Sequence, residues 1–238
     1  MKILVFQHID CEHPGSLRSF LAADNIEWHA IHLDQGEKIP ALEEYDALWV
    51  MGGPMDVWDV DEHPWLVAEK SAIRRWVTDL GKPFLGLCLG HQLLADALGG
   101  TCEPQRPPEI GIVDVELTQD GINDPLFEGL AHRQKCLQWH SVCVAQAPED
   151  TTILASSDAC RIQAMHVGSN AWSMQYHVEI EPDTVTHWGE VPAYREALEA
   201  TLGAEGLATM KSDSDSHMSE FLNCAETLYR NFIKLADH

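Results

Sequence analysis

The 238-residue chain is short of positive charge, with 15 Lys and Arg against 38 Asp and Glu and a formal charge of −23. Nucleic-acid phosphates and anionic bilayers repel such a surface, so neither nucleic acid nor a membrane is expected as a partner. No apolar run approaches the roughly 20 residues that span a bilayer. Met1–Gln7 has one Lys and a short apolar stretch and reads as a first strand, not an export signal. The seven cysteines lack the even, regular spacing of a disulfide framework; they are expected to be reduced and the chain cytoplasmic. No Gly-x-x-x-x-Gly-Lys-Ser/Thr or other phosphate-cradling loop occurs, and no cofactor is expected. Cys88 and His91, or Cys136, His140 and Cys143, imitate metal ligands, but no fourth ligand accompanies them and no metal is expected.

What is present suits one sizeable core: 26.6 kDa, 45% hydrophobic residues and a mean hydropathy of −0.18. Strand and helix signals alternate through the first half. Ile3–Phe6 is a buried-type apolar run, residues 14–23 place Leu17, Phe20 and Leu21 on one helical face, residues 28–33 alternate, and Tyr45–Met51 ends at Gly52-Gly53-Pro54. A helix follows, with Asp61 as N-cap and Pro64 in its first turn. Leu66, Ile73, Trp76, Val77 and Leu80 keep its spacing, and Gly81 and Pro83 stop it. This alternation predicts an α/β fold with a doubly wound, mostly parallel sheet. Short strands at 111–117, 137–144, 152–155, 162–167 and 171–176 predict antiparallel additions. Beyond Glu179 the chain is helical, and Met218, Phe221, Leu222, Ala225, Leu228, Tyr229, Phe232 and Ile233 form a core-facing stripe. Lys211–Ser216 is the one linker-like piece. The expectation is a single domain over 1–238, its core about 1–182 and a C-terminal helical extension over 183–238.

The most informative stretch is Gly86-Leu87-Cys88-Leu89-Gly90-His91-Gln92, between an apolar segment and a helix-like one. Strand, glycine-flanked turn and helix form a nucleophile elbow, with cysteine as the reacting residue. Side chains at the two glycine positions would collide with neighbouring backbone. A helix N-terminus favours the thiolate, the form that attacks carbonyl carbon. Most free cysteines are buried and inert; one between two glycines at such a turn points to acyl transfer.

A thiol nucleophile needs a base, and the base an orienting group. Among thirteen histidines, His177 ends an apolar strand, where α/β proteins place active-site groups, and Glu179 two residues on faces the same side of an extended segment. Taken alone, His-x-Glu is a weak signal. Together with the elbow it resembles the class I (triad-type) glutamine amidotransferases. Their Gly-x-Cys-x-Gly-x-Gln is matched from Gly86 to Gln92, and their Gln-aromatic-His-Pro-Glu at Gln175, Tyr176, His177 and Glu179, with Val178 where proline is usual. Met51-Gly52-Gly53-Pro54 resembles the family's oxyanion loop, and Trp139-His140-Ser141 the segment that holds the amino-acid end of glutamine. The likeness covers roughly Met1 to Pro182 and is strongest to the amidotransferase half of guanylate (GMP) synthetase.

The resemblance implies a flavodoxin-like core and a Cys88–His177–Glu179 triad that cleaves the γ-amide of glutamine or a γ-glutamyl amide through a γ-glutamyl thioester. It implies an oxyanion hole at the backbone of Gly53 and Leu89, and substrate contacts from Gly52, Gln92, His140 and Ser141. Asp56, Trp58 and Trp65 either line the pocket mouth or pack the loop. No segment looks like an ammonia-consuming synthase. The chain therefore either feeds a separately encoded synthase subunit or hydrolyses γ-glutamyl amides or peptides alone. A catalytically silent binding or regulatory subunit is the alternative from another class; it would be marked by a lost nucleophile or base, and both are present. A second cysteine-elbow family needs neither the distant His-x-Glu nor Gln92.

Overall fold

The computed structural model describes residues 1–237. In chain order its main elements are β1 (Lys2–Gln7), α1 (Leu17–Ala23), β2 (Glu27–His32), β3 (Ala47–Val50), α2 (Trp65–Arg75), β4 (Phe84–Leu87) and α3 (Leu89–Ala97). The second half adds β5 (Thr101–Leu117), α4 (Gln119–Asn123), β6 (Arg133–Gln146), β7 (Thr151–Ser156), β8 (Ala164–Val167), β9 (Ala171–Met174), α5 (Thr184–Trp188), α6 (Pro192–Leu202) and α7 (Gly206–Ala236). The strands form one sheet in the order β2-β1-β3-β4-β9-β8-β7-β5-β6. The first five run parallel, and the pairs from β9 to β6 are antiparallel.

Side chains alternate across the sheet. Ile3 and Val5 of β1 join one hydrophobic cluster with α1, α6 and α7; Leu4 and Phe6 join the other with α2 and α3. That is the period of two of a strand covered on both faces. The carboxyl ends of β1, β3, β4 and β9 therefore meet along one edge, the edge at which open α/β sheets bind ligands.

Three local expectations are corrected. Asp61 is not an N-cap: α2 begins at Trp65, with Pro64 (φ −60°) at the cap position. The residue before a proline is steered out of the helical region, which stops the helix from extending back through His63. The helix ends as expected, through a π turn at Trp76–Leu80 and Gly81 at φ +61°. Lys211–Ser216 is no linker but lies inside the 31-residue α7. Its polarity is that of a solvated helix face, with a Lys211–Asp215 pair at 2.7 Å and Met210 and Phe221 buried on either side. β5 runs ten residues further toward the N-terminus than the alternation from Gly111 indicates. Pro104, Pro107 and Pro108 mask its first half, and pairing with β6 shifts register between Pro104 and Glu109.

Candidate functional site

The elbow joins β4 to α3. Cys88 sits at the N-cap of α3 with φ +52° and ψ −105°, a conformation that costs an L-residue about 1–3 kcal/mol and persists only where its surroundings impose it. Its N–H donates to the Met174 carbonyl of β9 at 2.8 Å, and the Gly90 N–H donates to Met51 O at 3.1 Å. Both glycines are sterically required. A Cβ on Gly86 would lie 2.6 Å from Gly90 O, and one on Gly90 2.1 Å from Val50 O.

The His177–Glu179 segment follows β9 and is held by β6: His177 and Leu137 exchange backbone hydrogen bonds of 2.9 and 3.1 Å. His177 Nδ1 lies 2.6 Å from Glu179 Oε1. The other carboxylate oxygen accepts from the Val178 N–H at 3.0 Å, a bond that the usual proline could not make. Burial opposes charge on His177, but the Glu179 carboxylate and a hydrogen bond with the Cys88 thiol outweigh it and hold the imidazole well above its ordinary range. A relay of amides also serves the sulfur: Gln92 Nε2 donates to Gln175 Oε1 at 3.1 Å, and Gln175 Nε2 points at Cys88 Sγ from 3.7 Å.

Cys88, 6% exposed, lies in a cavity of about 90 Å³. The loop Gly53–Asp56 and Leu89 form one wall, Ile110 and Trp139–Val142 a second, and Ala193, Tyr194 and Ala197 of α6 a third. Gln92 also lines it. Both of its N–H donors are spent, on Gln175 and on Val142 O at 3.1 Å, so it meets a ligand only with its carbonyl oxygen, an acceptor suited to an ammonium. His140 lines the cavity with its ring nitrogens engaged, by Val142 O at 2.9 Å and Glu109 Oε2 at 3.0 Å, while Ser141 is exposed at the rim. Gly52 is not a lining residue: its carbonyl faces His8 at 2.8 Å and its Cα packs on the Glu12 carboxylate. Asp56 reaches the cavity. Trp58 projects into solvent, and Trp65 stacks on the His8 ring. His91 turns away from the sulfur, bonded to Ser173 and Ile162; burial pushes it down to about 3, so it is neutral.

The sequence profile of class-I glutamine amidotransferases matches residues 10–187. The chain belongs to this family. Its amidotransferase relatives include a glutamine-hydrolysing GMP synthase component of Sulfolobus acidocaldarius, 31% identical over 153 residues that cover 64% of this chain and 77% of that one. Among solved structures, a glutamine amidotransferase from Thermotoga maritima superposes with a TM-score of 0.86 at 25% identity, covering 98% of both chains. One from Methylobacillus flagellatus has the same score at 26% identity, covering 98% of this chain and 94% of that one. The likeness to these amidotransferases thus includes the C-terminal helices.

Sequence reasoning missed a group that meets the site from outside its motifs. Glu12, just beyond β1, is buried. Its Oε1 accepts from Tyr194 OH of α6 at 2.6 Å; burial raises its affinity for a proton, and the nearby His177 lowers it. Gly15 (φ +52°) presses on the Glu179 backbone, and the Ser16 N–H donates to Glu179 O at 2.6 Å. His8 sits between Gly52 and Glu69. The position of His8 and Glu12 after a parallel strand was a usable signal; nothing local marks Tyr194.

Proposed function

We propose that this amidotransferase hydrolyses a γ-glutamyl amide, acting as a stand-alone enzyme. The observation that carries the reading is the buried Cys88 thiol at one end of a cavity that α6 of the same chain closes, on the same sheet edge as the hydrogen-bonded His177–Glu179 pair. Cys88 attacks the γ-carbonyl as His177 accepts the thiol proton, and Glu179 holds the imidazolium that forms. The oxyanion lies against the N–H groups of Gly53 and Leu89. His177 then protonates the departing nitrogen, and water splits the thioester to release glutamate and ammonia or an amine. Gln92 Oε1 and the Trp139–Ser141 segment receive the amino-acid end. The complete array favours a catalyst over a silent subunit.

A second reading is a glutaminase that serves a separate synthase. It is favoured by the 31% identity to a protein named as one component of a GMP synthase. Release of glutamate by the purified chain, from glutamine and from a panel of γ-glutamyl amides and dipeptides, separates the two. Turnover of one γ-glutamyl amide well above glutamine is expected, and Cys88→Ala should lower it at least about 10⁴-fold. Turnover of glutamine alone, rising only when a synthase is added, supports the second reading. Full activity in Cys88→Ala excludes both.

A further inference from the structure

His8 is a buried imidazole with an acceptor at each end. Nδ1 lies 2.8 Å from the Gly52 carbonyl, which carries no proton, so Nδ1 donates. Nε2 lies 2.8 Å from Glu69 Oε1, a buried carboxylate on α2. A ring lone pair cannot face a carboxylate lone pair at that distance, so a proton lies between them.

The geometry has a direct consequence for the peptide joining Gly52 to Gly53. A trans peptide points its C=O and N–H in opposite directions. With the Gly52 carbonyl turned to His8, the Gly53 N–H is directed to the other side. Gly53, unlike Gly52, lines the cavity beside Cys88 and Leu89. A Cβ on Gly53 would lie 2.9 Å from both His8 Cβ and Leu89 Cδ2, so the loop has no slack in which to rotate.

We propose that His8 is the positioning residue of the oxyanion pocket: an imidazolium held by Glu69 that fixes and polarises the Gly52–Gly53 peptide, strengthening the Gly53 N–H as a donor to the developing oxyanion. A positive charge at the carbonyl end of an amide draws electron density from its nitrogen, and the effect is large where water is excluded. The groups that face the ring agree in sign. Glu69 is in contact, Glu12 adds a second carboxyl from the loop after β1, and Trp65 stacks on the ring at 5.5 Å and 13°. Burial disfavours the charge, but Glu69, the Gly52 carbonyl and Glu12 together raise the proton affinity of His8 above its ordinary value. Glu12 is in turn bonded by Tyr194 OH and lies in the field of His177.

This role rests on the γ-glutamyl hydrolase reading, and the test separates their failures. Steady-state kinetics across pH are measured for wild type, Cys88→Ala, His8→Asn and Glu69→Gln; the Asn keeps a neutral donor at the Nδ1 position. His8→Asn is expected to lower kcat about tenfold or more with KM within about twofold. Glu69→Gln should move the alkaline limb of kcat down by about one pH unit or more, since it withdraws the charge that holds the proton. Unchanged kcat and an unmoved limb in these variants, with wild type active and Cys88→Ala dead, overturn the role of His8 alone. An inactive wild type or an active Cys88→Ala overturns the hydrolase reading instead. Independently of turnover, ring-nitrogen NMR of the wild-type protein, with His8→Asn to assign the signal, is expected to show both His8 nitrogens protonated at neutral pH. A neutral ring overturns the inference even if a variant fails to fold.

Discussion

At the level of single residues, the site is held by hydrogen bonds that fix how each polar side chain is turned. Glu179 directs one oxygen to His177 and the other to the Val178 N–H, so its carboxylate cannot turn. Val178→Pro deletes the second bond while keeping both proposed reacting partners. It is expected to lower kcat by less than about tenfold, the worth of one hydrogen bond near 1 kcal/mol, with KM unchanged. The His177–Glu179 pair also ties stability to pH. Because the folded protein raises the His177 pKa, its contribution is complete below the ordinary value of about 6.5 and is lost as pH climbs through the folded value. Wild type should therefore exceed Glu179→Gln by about 3 kcal/mol near neutrality, and the gap should narrow as pH is raised well above neutrality. Urea midpoints across that range check both the sign and the window.

Among elements, the junctions carry the constraint. The elbow was legible in the sequence because its requirements are local: a strand, two glycines and a helix start within a few residues. The parallel strands were legible from apolar runs, and His177 and Glu179 from one strand end. Other features depend on partners distant in the chain. Tyr194 joins the cavity only because α6 packs across β6, and the polar stretch Lys211–Ser216 is helical only because Met210 and Phe221 dock on the sheet. The first half of β5 was hidden by its prolines, since β6 supplies a ladder that local propensity opposes. The elbow itself yields a sharp expectation. Gly90→Ala, with a Cβ 2.1 Å from Val50 O, should destabilise by at least about 2 kcal/mol and displace the thiol, seen together as a lower melting temperature and a loss of turnover.

Across the whole molecule, the last third of the chain shares a core with the first. Phe232 of α7 packs edge-on against Trp49 of β3 at 5.9 Å and Trp172 of β9 at 6.5 Å, and it is fully buried. The hydrophobic cluster that holds β1 and β4 also holds Phe221, Ala225, Leu228 and Tyr229. Phe232→Ala should therefore cost about 3–5 kcal/mol in chemical denaturation, in one transition shared by probes in the sheet and in α7. Two separate transitions would mean that the helices after Glu179 fold as a unit of their own.

The closure of the cavity by α6 has a pharmacological side. Cys11, Cys102 and Cys224 are pushed up to about 12 by burial, which leaves them inert toward electrophiles at neutral pH. Cys143, half-buried and held below the usual thiol range by its hydrogen bond with Cys160, is the competitor that a labelling reagent meets outside the site. A slim warhead carrying an amino-acid tail is expected to reach Cys88 through the cavity of about 90 Å³ more readily than a bulky maleimide. Selective covalent inhibition is thus a question of girth before it is one of reactivity.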